Sequence, residues 1–282
     1  MLFTGRPRWA AVVVAVGVGA LTLAGSSAYA DDPPEVFIVG GQQATEDMGW
    51  VAALHTDQSG FRCGAVLVAE DFLATNAHCL GTPPGQPPVD ETYYARIGSL
   101  DRTSGGHIRR VIEVITHPEF DWHQPDPDNP TRPGGDVALL RLDEPVPEQP
   151  VSVAPVRASQ PVRVTGWGFE HQPPPDQQQA VLPTMMRYTD MVAVNDAQCS
   201  AADIRADEHC LSAPEGSKAG PCFGDSGSAS LQRDGRRWVF VDMVNRGVDD
   251  QCGTTPAVMT DVGQYTGWIT RTILSAQLGL AP

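Results

Sequence analysis

From Ile38 onward, short apolar runs alternate with clusters of Gly, Pro, Asp and Asn. The runs lie at residues 63–68, 72–76, 94–97, 110–116, 137–142, 162–165 and 239–244. Short apolar runs bounded by turn formers read as strands, and many of them in succession predict an all-β sandwich or barrel. Only residues 262–277 carry helical spacing, with Tyr265, Trp268, Ile269, Thr272 and Ile273 on one face. Residues 82–92, 120–135 and 169–184 are rich in Pro, Gly, Asp or Gln and read as long surface loops. Residues 144–151, Glu-Pro-Val-Pro-Glu-Gln-Pro-Val, read as a connector between halves.

The first thirty residues break this rhythm. Arg6 and Arg8 precede a mostly apolar run at 10–24, and Ala28-Tyr29-Ala30 is a small-x-small cleavage site. The run is short for a spanning helix and ends at a cleavage signal, so it reads as a secretory signal that is removed. Residues 31–37, acidic and Pro-rich, read as a short pro-segment.

Composition narrows the function. The 282 residues are 41% hydrophobic, enough for a sizeable core, and carry a formal net charge of -15. That charge argues against binding nucleic acid or an anionic membrane through a basic face. Lys218 is the single lysine, a bias that points to a high-GC genome more than to a function. An even set of cysteines in an exported chain points to disulfides: Cys63, Cys79, Cys199, Cys210, Cys222 and Cys252 allow fifteen pairings. Their spacing contains no C-x-x-C, which argues against a zinc site.

Three segments carry candidate chemistry. A hydroxyl is a poor nucleophile near neutral pH; it needs a base within hydrogen-bond reach, and the base needs an orienting group. Thr75-Asn76-Ala77-His78-Cys79 supplies a histidine, Gly135-Asp136-Val137-Ala138-Leu139-Leu140 an acid, and Gly224-Asp225-Ser226-Gly227 a serine in a Gly-rich loop. Each alone is commonly a structural feature. Their order and spacing resemble the chymotrypsin-like (trypsin-fold) secreted serine peptidases, here a bacterial-type member. The likeness extends over nearly all of residues 38–276. It includes Ile38-Val39-Gly40-Gly41, Gly64-Ala65-Val66-Leu67, His117-Pro118-Glu119-Phe120, Thr165-Gly166-Trp167-Gly168 and the final segment with Tyr265 and Trp268.

The resemblance implies two antiparallel six-stranded β-barrels with a C-terminal α-helix, the first barrel at 38–150 and the second, with the helix, at 151–282. It implies His78 as general base, Asp136 as the orienting acid, Ser226 as nucleophile, and the N–H groups of Gly224 and Ser226 as the oxyanion hole. It selects the pairs Cys63–Cys79, Cys199–Cys210 and Cys222–Cys252. It implies activation by cleavage before Ile38, whose new ammonium pairs with Asp225. No cofactor or metal is implied. The partners expected are protein or peptide substrates and proteinaceous inhibitors, with neither nucleic acid nor, after signal removal, membrane, and the chain is expected to be a monomer.

Specificity follows the family pattern less closely. Six residues before Ser226 stands Gly220, with Ala219 as the alternative pocket base, and neither is acidic. With Pro221, Asn245, Arg246, Gly247 and Ala257 they form the expected specificity pocket, whose uncharged base and the methyl of Ala257 opposite it predict cleavage after aromatic or aliphatic residues. Asn245 and Arg246 stand where the family usually has Ser and an apolar platform; Arg246 favours an acidic residue upstream of the cut. Asp249 and Asp250 keep a trypsin-like preference for basic residues as the alternative. A catalytically inactive binding homologue is a further one, and an esterase on an α/β fold is disfavoured by the His-first order.

Overall fold

In the computed structural model the described residues are 1–2, 5, 38–81, 91–120, 134–173 and 181–280. The chain divides into two compact units, Met1–Pro34 and Glu35–Pro282. Of the first only Met1, Leu2 and Gly5 are described, so the expected signal and pro-segment lie outside the described residues, as do residues 82–90, 121–133 and 174–180 of the expected long loops. Among the described residues no helix is long and apolar enough to cross a membrane.

The second unit is built from two closed antiparallel barrels of six strands each. The first barrel runs β2 (Val51–Thr56), β3 (Gly60–Ala69), β4 (Phe72–Thr75), β7 (Ala138–Leu142), β6 (His107–Thr116) and β5 (Tyr93–Ile97), closing back on β2. The second runs β10 (Arg187–Ala193), β11 (Glu208–Ser212), β14 (Ala257–Asp261), β13 (Arg237–Gly247), β12 (Ala229–Asp234) and β9 (Val162–Gly166), closing through β9–β10. Two short strands are added outside the second barrel: β1 (Gln42–Gln43) on β10, and β8 (Ser152–Val153), parallel, on β13. Helix α1 (Thr266–Gln277) closes the chain, with Ile269, Thr272 and Ala276 buried.

The apolar pattern follows from which faces are covered. Strand side chains alternate between faces. In β2, Ala52 and Leu54 fill the first barrel, while Val51 and Ala53 join a second cluster with Trp167, Met186, Phe240, Tyr265 and Ile269. That second cluster draws on both barrels and α1, so it is the interface core. Strands β4 and β7 are divided in the same way, with Leu73 and Leu140 inside and Phe72 and Leu139 at the interface. Buried on both faces, these strands read as unbroken apolar runs. Strand β6 alternates strictly between half-buried and exposed positions because its outer face meets solvent. Inside the second barrel lie Val162, Val164, Met191, Leu211, Val241 and Met259.

The three disulfides are formed as the resemblance implies. Cys63–Cys79, Cys199–Cys210 and Cys222–Cys252 have Sγ–Sγ distances of 2.06, 2.09 and 2.04 Å.

Candidate active site

Strand β4, fully buried, delivers Asn76 and then a 3₁₀ turn, Ala77–Cys79, that carries His78. The bond from Cys79 to Cys63 ties this turn to β3. Asp136 lies just before β7 and is 1% exposed. One of its oxygens, Oδ1, accepts the main-chain N–H of His78 at 2.9 Å, and Oδ2 lies 2.7 Å from His78 Nδ1. A carboxylate at Nδ1 keeps the ring's proton on that nitrogen and leaves Nε2 to accept one.

The stretch leading to Asp136 is itself anchored. Gly134 and Gly135 donate their N–H groups to Asp207 at 2.8 and 3.2 Å, and Asp207 also accepts the Tyr265 hydroxyl. Gly135 takes φ +62°, and a Cβ there would lie 2.7 Å from the main chain at Glu119 and Phe120. Burial, joined by the Asp207 charge, pushes the Tyr265 hydroxyl upward, so it stays a donor.

Ser226 stands between β11 and β12 in the loop that begins at Cys222. Its carbonyl accepts Gly64 N–H at 2.8 Å, and its Oγ lies 3.3 Å from the Asn245 carbonyl. Gly224 has φ +97°, a conformation that favours glycine. Among the described residues, the main-chain N–H groups of Gly224 and Ser226 have no hydrogen-bond acceptor.

Asp225 points the other way and is fully buried. Its carboxylate accepts Gly168 N–H at 2.7 Å and Cys222 N–H at 2.8 Å. Burial pushes its pKa up to about 7 against the pull of those two donors. A Cβ on Gly168 would sit 2.5 Å from Asp225 Oδ2, which explains why the Gly-Trp-Gly run must be glycine at this position. Ile38 is also fully buried, and its φ of +42° is unusual for a β-branched residue. Val39 accepts Gly220 N–H at 2.9 Å, which seats the 38–41 segment against the 219–220 backbone.

A cavity of ≈ 400 Å³ opens beside Ser226. Pro221, Asn245, Arg246, Gly247 and Ala257 line it. Ala219 and Gly220 do not. Ala219 is buried at the 38–41 segment, within 3 Å of where a Gly40 side chain would sit, and Gly220 faces Gly253. Val244, Val248 and the Cys222–Cys252 bridge add apolar wall, and Phe223 borders the cavity at 42% exposure. Asp249 and Asp250 are the carboxylates on its wall among the described residues; Asp249 is occupied by Gln251 N–H and Thr255 Oγ1 at 2.8 and 2.9 Å.

Arg246 is not the open cation the sequence suggested. Its guanidinium meets both oxygens of Glu208 and the carbonyls of Ala202 and Asp203. Sequence reading missed Asn76, Asp207, Glu208 and Thr260, each a buried polar residue on the margin of the site. Only Asn76, a polar residue at the end of the apolar run 72–76, carried a signal that sequence reading could have used.

Comparison with known proteins places these features together. The family described as Trypsin matches residues 38–269. Mouse vitamin K-dependent protein C is 26% identical over 256 residues, covering 84% of this chain and 52% of that protein, so the chain spans about half of that relative's length. Human granzyme H is 28% identical over 253 residues, covering 84% of this chain and 91% of that protein. The structure of neuropsin, a serine protease expressed in the limbic system of mouse brain, aligns with TM-score 0.65 at 25% identity, covering 83% of this chain and 98% of that one. These relatives are mammalian and give the expected bacterial-type placement no support.

Proposed function

The chain belongs to the trypsin family of serine peptidases, and from that premise we propose that it is a secreted serine endopeptidase made as a zymogen. The observation that carries the catalytic reading is the double hold of Asp136 on the His78 main chain and ring. His78 Nε2 takes the Ser226 proton as Oγ attacks the substrate carbonyl. The tetrahedral oxyanion is met by the N–H groups of Gly224 and Ser226, which among the described residues have no other acceptor. His78 then protonates the leaving amine, and water reverses the sequence to release the acyl group.

Activation by cleavage before Ile38 is supported from two sides. A buried carboxylate with no charged partner among its described contacts calls for a cation, and a free Ile38 α-ammonium is one. Ile38 at positive φ stores roughly 1–3 kcal/mol of strain while it is linked to residue 37. Once that bond is cut, no preceding carbonyl remains to clash, and the docked conformation is relaxed. Both terms favour the cleaved, docked state.

The apolar wall of Pro221, Val244, Val248 and Ala257 supports cleavage after aromatic or aliphatic residues. Phe37 suits such a pocket, so the enzyme is proposed to process its own kind. Asp250, on the exposed edge, supports the second reading, a preference for basic residues. Secretion rests on the signal-like residues 1–30. The test is a panel of chromogenic peptides ending in Phe, Leu, Ala or Arg, given to protein beginning at Ile38, alongside labelling by a fluorophosphonate. Labelling lost in Ser226→Ala, with fastest turnover after Phe or Leu, is expected. Fastest turnover after Arg overturns the apolar specificity, and absence of labelling in the unmutated protein leaves an inactive binding homologue.

A further inference from the structure

Asn76 is fully buried, and its side chain reaches the backbone of two triad segments while standing two residues before the third. Its Nδ2 donates to the Asp136 carbonyl at 2.8 Å and to Thr260 Oγ1 at 3.0 Å. Its Oδ1 accepts Gly227 N–H at 2.8 Å. Both amide protons and one acceptor lobe are therefore used, and each bond spans a long stretch of chain.

The bond to Gly227 matters for its geometry. A peptide group is planar, so fixing its C=O and its N–H fixes the plane. The plane between Ser226 and Gly227 is held at the carbonyl by Gly64 N–H, at 2.8 Å, and at the N–H by Asn76. Gly64 and Asn76 belong to the first barrel, whereas Ser226 and the Val244 carbonyl, which shares Gly227 N–H at 2.9 Å, belong to the second. The base and the acid, His78 and Asp136, also belong to the first. Asn76 thus joins the nucleophile's backbone to the segment that carries its base.

The network runs on toward the substrate cavity. Thr260 Oγ1 accepts Asn245 Nδ2 at 2.9 Å and lies 3.5 Å from the Asp136 carbonyl. Asn245 Nδ2 also lies 3.4 Å from Glu208 Oε1, the carboxylate that holds Arg246. Asn245 and Arg246 both line the cavity.

We infer that Asn76 is a positioning residue for the reaction, setting the angle of the Ser226–Gly227 peptide plane against His78 and Asp136, with Thr260 as its relay to the substrate strand. This rests on the reading of Ser226 as nucleophile. Asn76 contacts no reacting atom; it acts through the backbone it holds. Replacing it leaves Gly227 N–H with its second acceptor, the Val244 carbonyl at 2.9 Å, so the loop keeps its course and loses its fine angle.

The test compares Asn76→Ala, Thr260→Val and Thr260→Ser with the unmutated enzyme, processed from the full chain, on peptide amide substrates for which acylation limits turnover. Fluorophosphonate labelling and thermal melting are followed in parallel. A misplaced reacting group costs up to about 100-fold in rate. Asn76→Ala is therefore expected to lower kcat and the labelling rate by about 10- to 100-fold, with KM within about twofold. Thr260→Val approaches the same network from the second barrel and guards against a folding failure of the first variant. It is expected to show a smaller defect of the same kind, restored by Thr260→Ser. The acid limb of the pH–rate profile is expected to stay in place, since the bonds from Asp136 to His78 are untouched. A lower melting temperature with unchanged kcat and labelling would make Asn76 structural only and overturn the inference. An unmutated enzyme that does not label overturns instead the reading of Ser226 on which the inference stands.

Discussion

Arg246 and Glu208 form a two-pronged ion pair, Nη1 to Oε1 at 2.5 Å and Nη2 to Oε2 at 2.8 Å, across the second barrel's edge. Glu208 is 4% exposed, and the side chain of Arg246 is 20% exposed. The pair cancels the charge that the sequence offered to an acidic substrate residue. Unmutated enzyme is therefore expected to cleave peptides with Glu or Gln upstream of the cut at rates within about threefold of each other. Glu208→Gln keeps the shape and removes the charge. It is expected to favour the Glu peptide by about 10-fold in kcat/KM, roughly 1.4 kcal/mol, and to lose about 3 kcal/mol of stability, as buried pairs do when one partner is removed. Paired peptides and urea denaturation measure both. Equal loss of activity on both peptides would sink the argument.

The state of Asp225 gives a pH signature of activation. Burial raises its folded pKa from 3.8 to about 7 while the chain is uncleaved. The folded state then holds a proton that the unfolded state releases, so stability falls as pH rises from about 4 to about 7. On the order of 4 kcal/mol is at stake. If the proposed cleavage before Ile38 occurs, its ammonium balances the carboxylate, and that loss is absent until the amine, whose ordinary pKa is about 7.7–8.0 and is raised by pairing, gives up its proton. The comparison uses Ser226→Ala protein in both forms, so that neither digests itself. Denaturation at pH 4.5 and 7.5 is expected to separate the two forms at the higher pH only. Parallel curves at both values would refute the pairing.

How much of this was legible in the sequence depended on where each polar group finds its partner. Strands β4, β6 and β7 were readable because apolar residues fill them or alternate along them. Strands β11, β12 and β14 were not, because Glu208, Ser230, Gln232, Thr260 and Asp261 are buried in them. No local pattern marks a buried Gln232, whose amide is satisfied by the Arg157 and Gln160 carbonyls, more than 70 residues away in sequence. The proposed triad was read through resemblance, since His78, Asp136 and Ser226 each sit in a recognisable run. Asn76 sits inside one of those runs and still went unread. Its partners are 60, 151 and 184 residues distant, and only the fold brings them within reach. The placement of Ala219 and Gly220 failed for a related reason: counting back from Ser226 fixes distance along the chain and not the direction in which the backbone turns.

The hold of Asp207 on Gly134 and Gly135 separates positioning from plain stability. Tyr265→Phe removes one donor to Asp207 and leaves both glycine bonds intact. It is expected to cost about 1–2 kcal/mol of stability with kcat unchanged. Asp207→Asn retains the shape but turns an amide toward N–H donors, so the Gly134–Gly135 turn loses one anchor. It is expected to lower kcat by about 10-fold through Asp136. Melting and steady-state kinetics on the two variants check the split; a kcat loss in Tyr265→Phe equal to that of Asp207→Asn would abolish it.

A second histidine, His209, is held by a different pair of acids. Asp242 and Asp261 stand directly opposite each other on β13 and β14. Like charges in that register repel. His209 on β11 lies between them, Nδ1 2.8 Å from Asp242 and Nε2 3.6 Å from Asp261. Burial disfavours its charged form, but the Asp242 hydrogen bond and the carboxylates of Asp242 and Asp261 prevail and raise its pKa to about 9. The folded value lies above the ordinary 6.5. Its contribution is therefore complete below about pH 6.5 and is lost as pH rises through about 9. A quarter of the side chain meets solvent, which screens the interaction, so on the order of 2 kcal/mol is expected. His209→Gln keeps a hydrogen-bond donor and removes the charge. Urea denaturation of both proteins is expected to show the unmutated one ahead by that amount at pH 6, with the gap closing by pH 10. A gap that stays constant between those values would mean that His209 acts through packing and not as a cation.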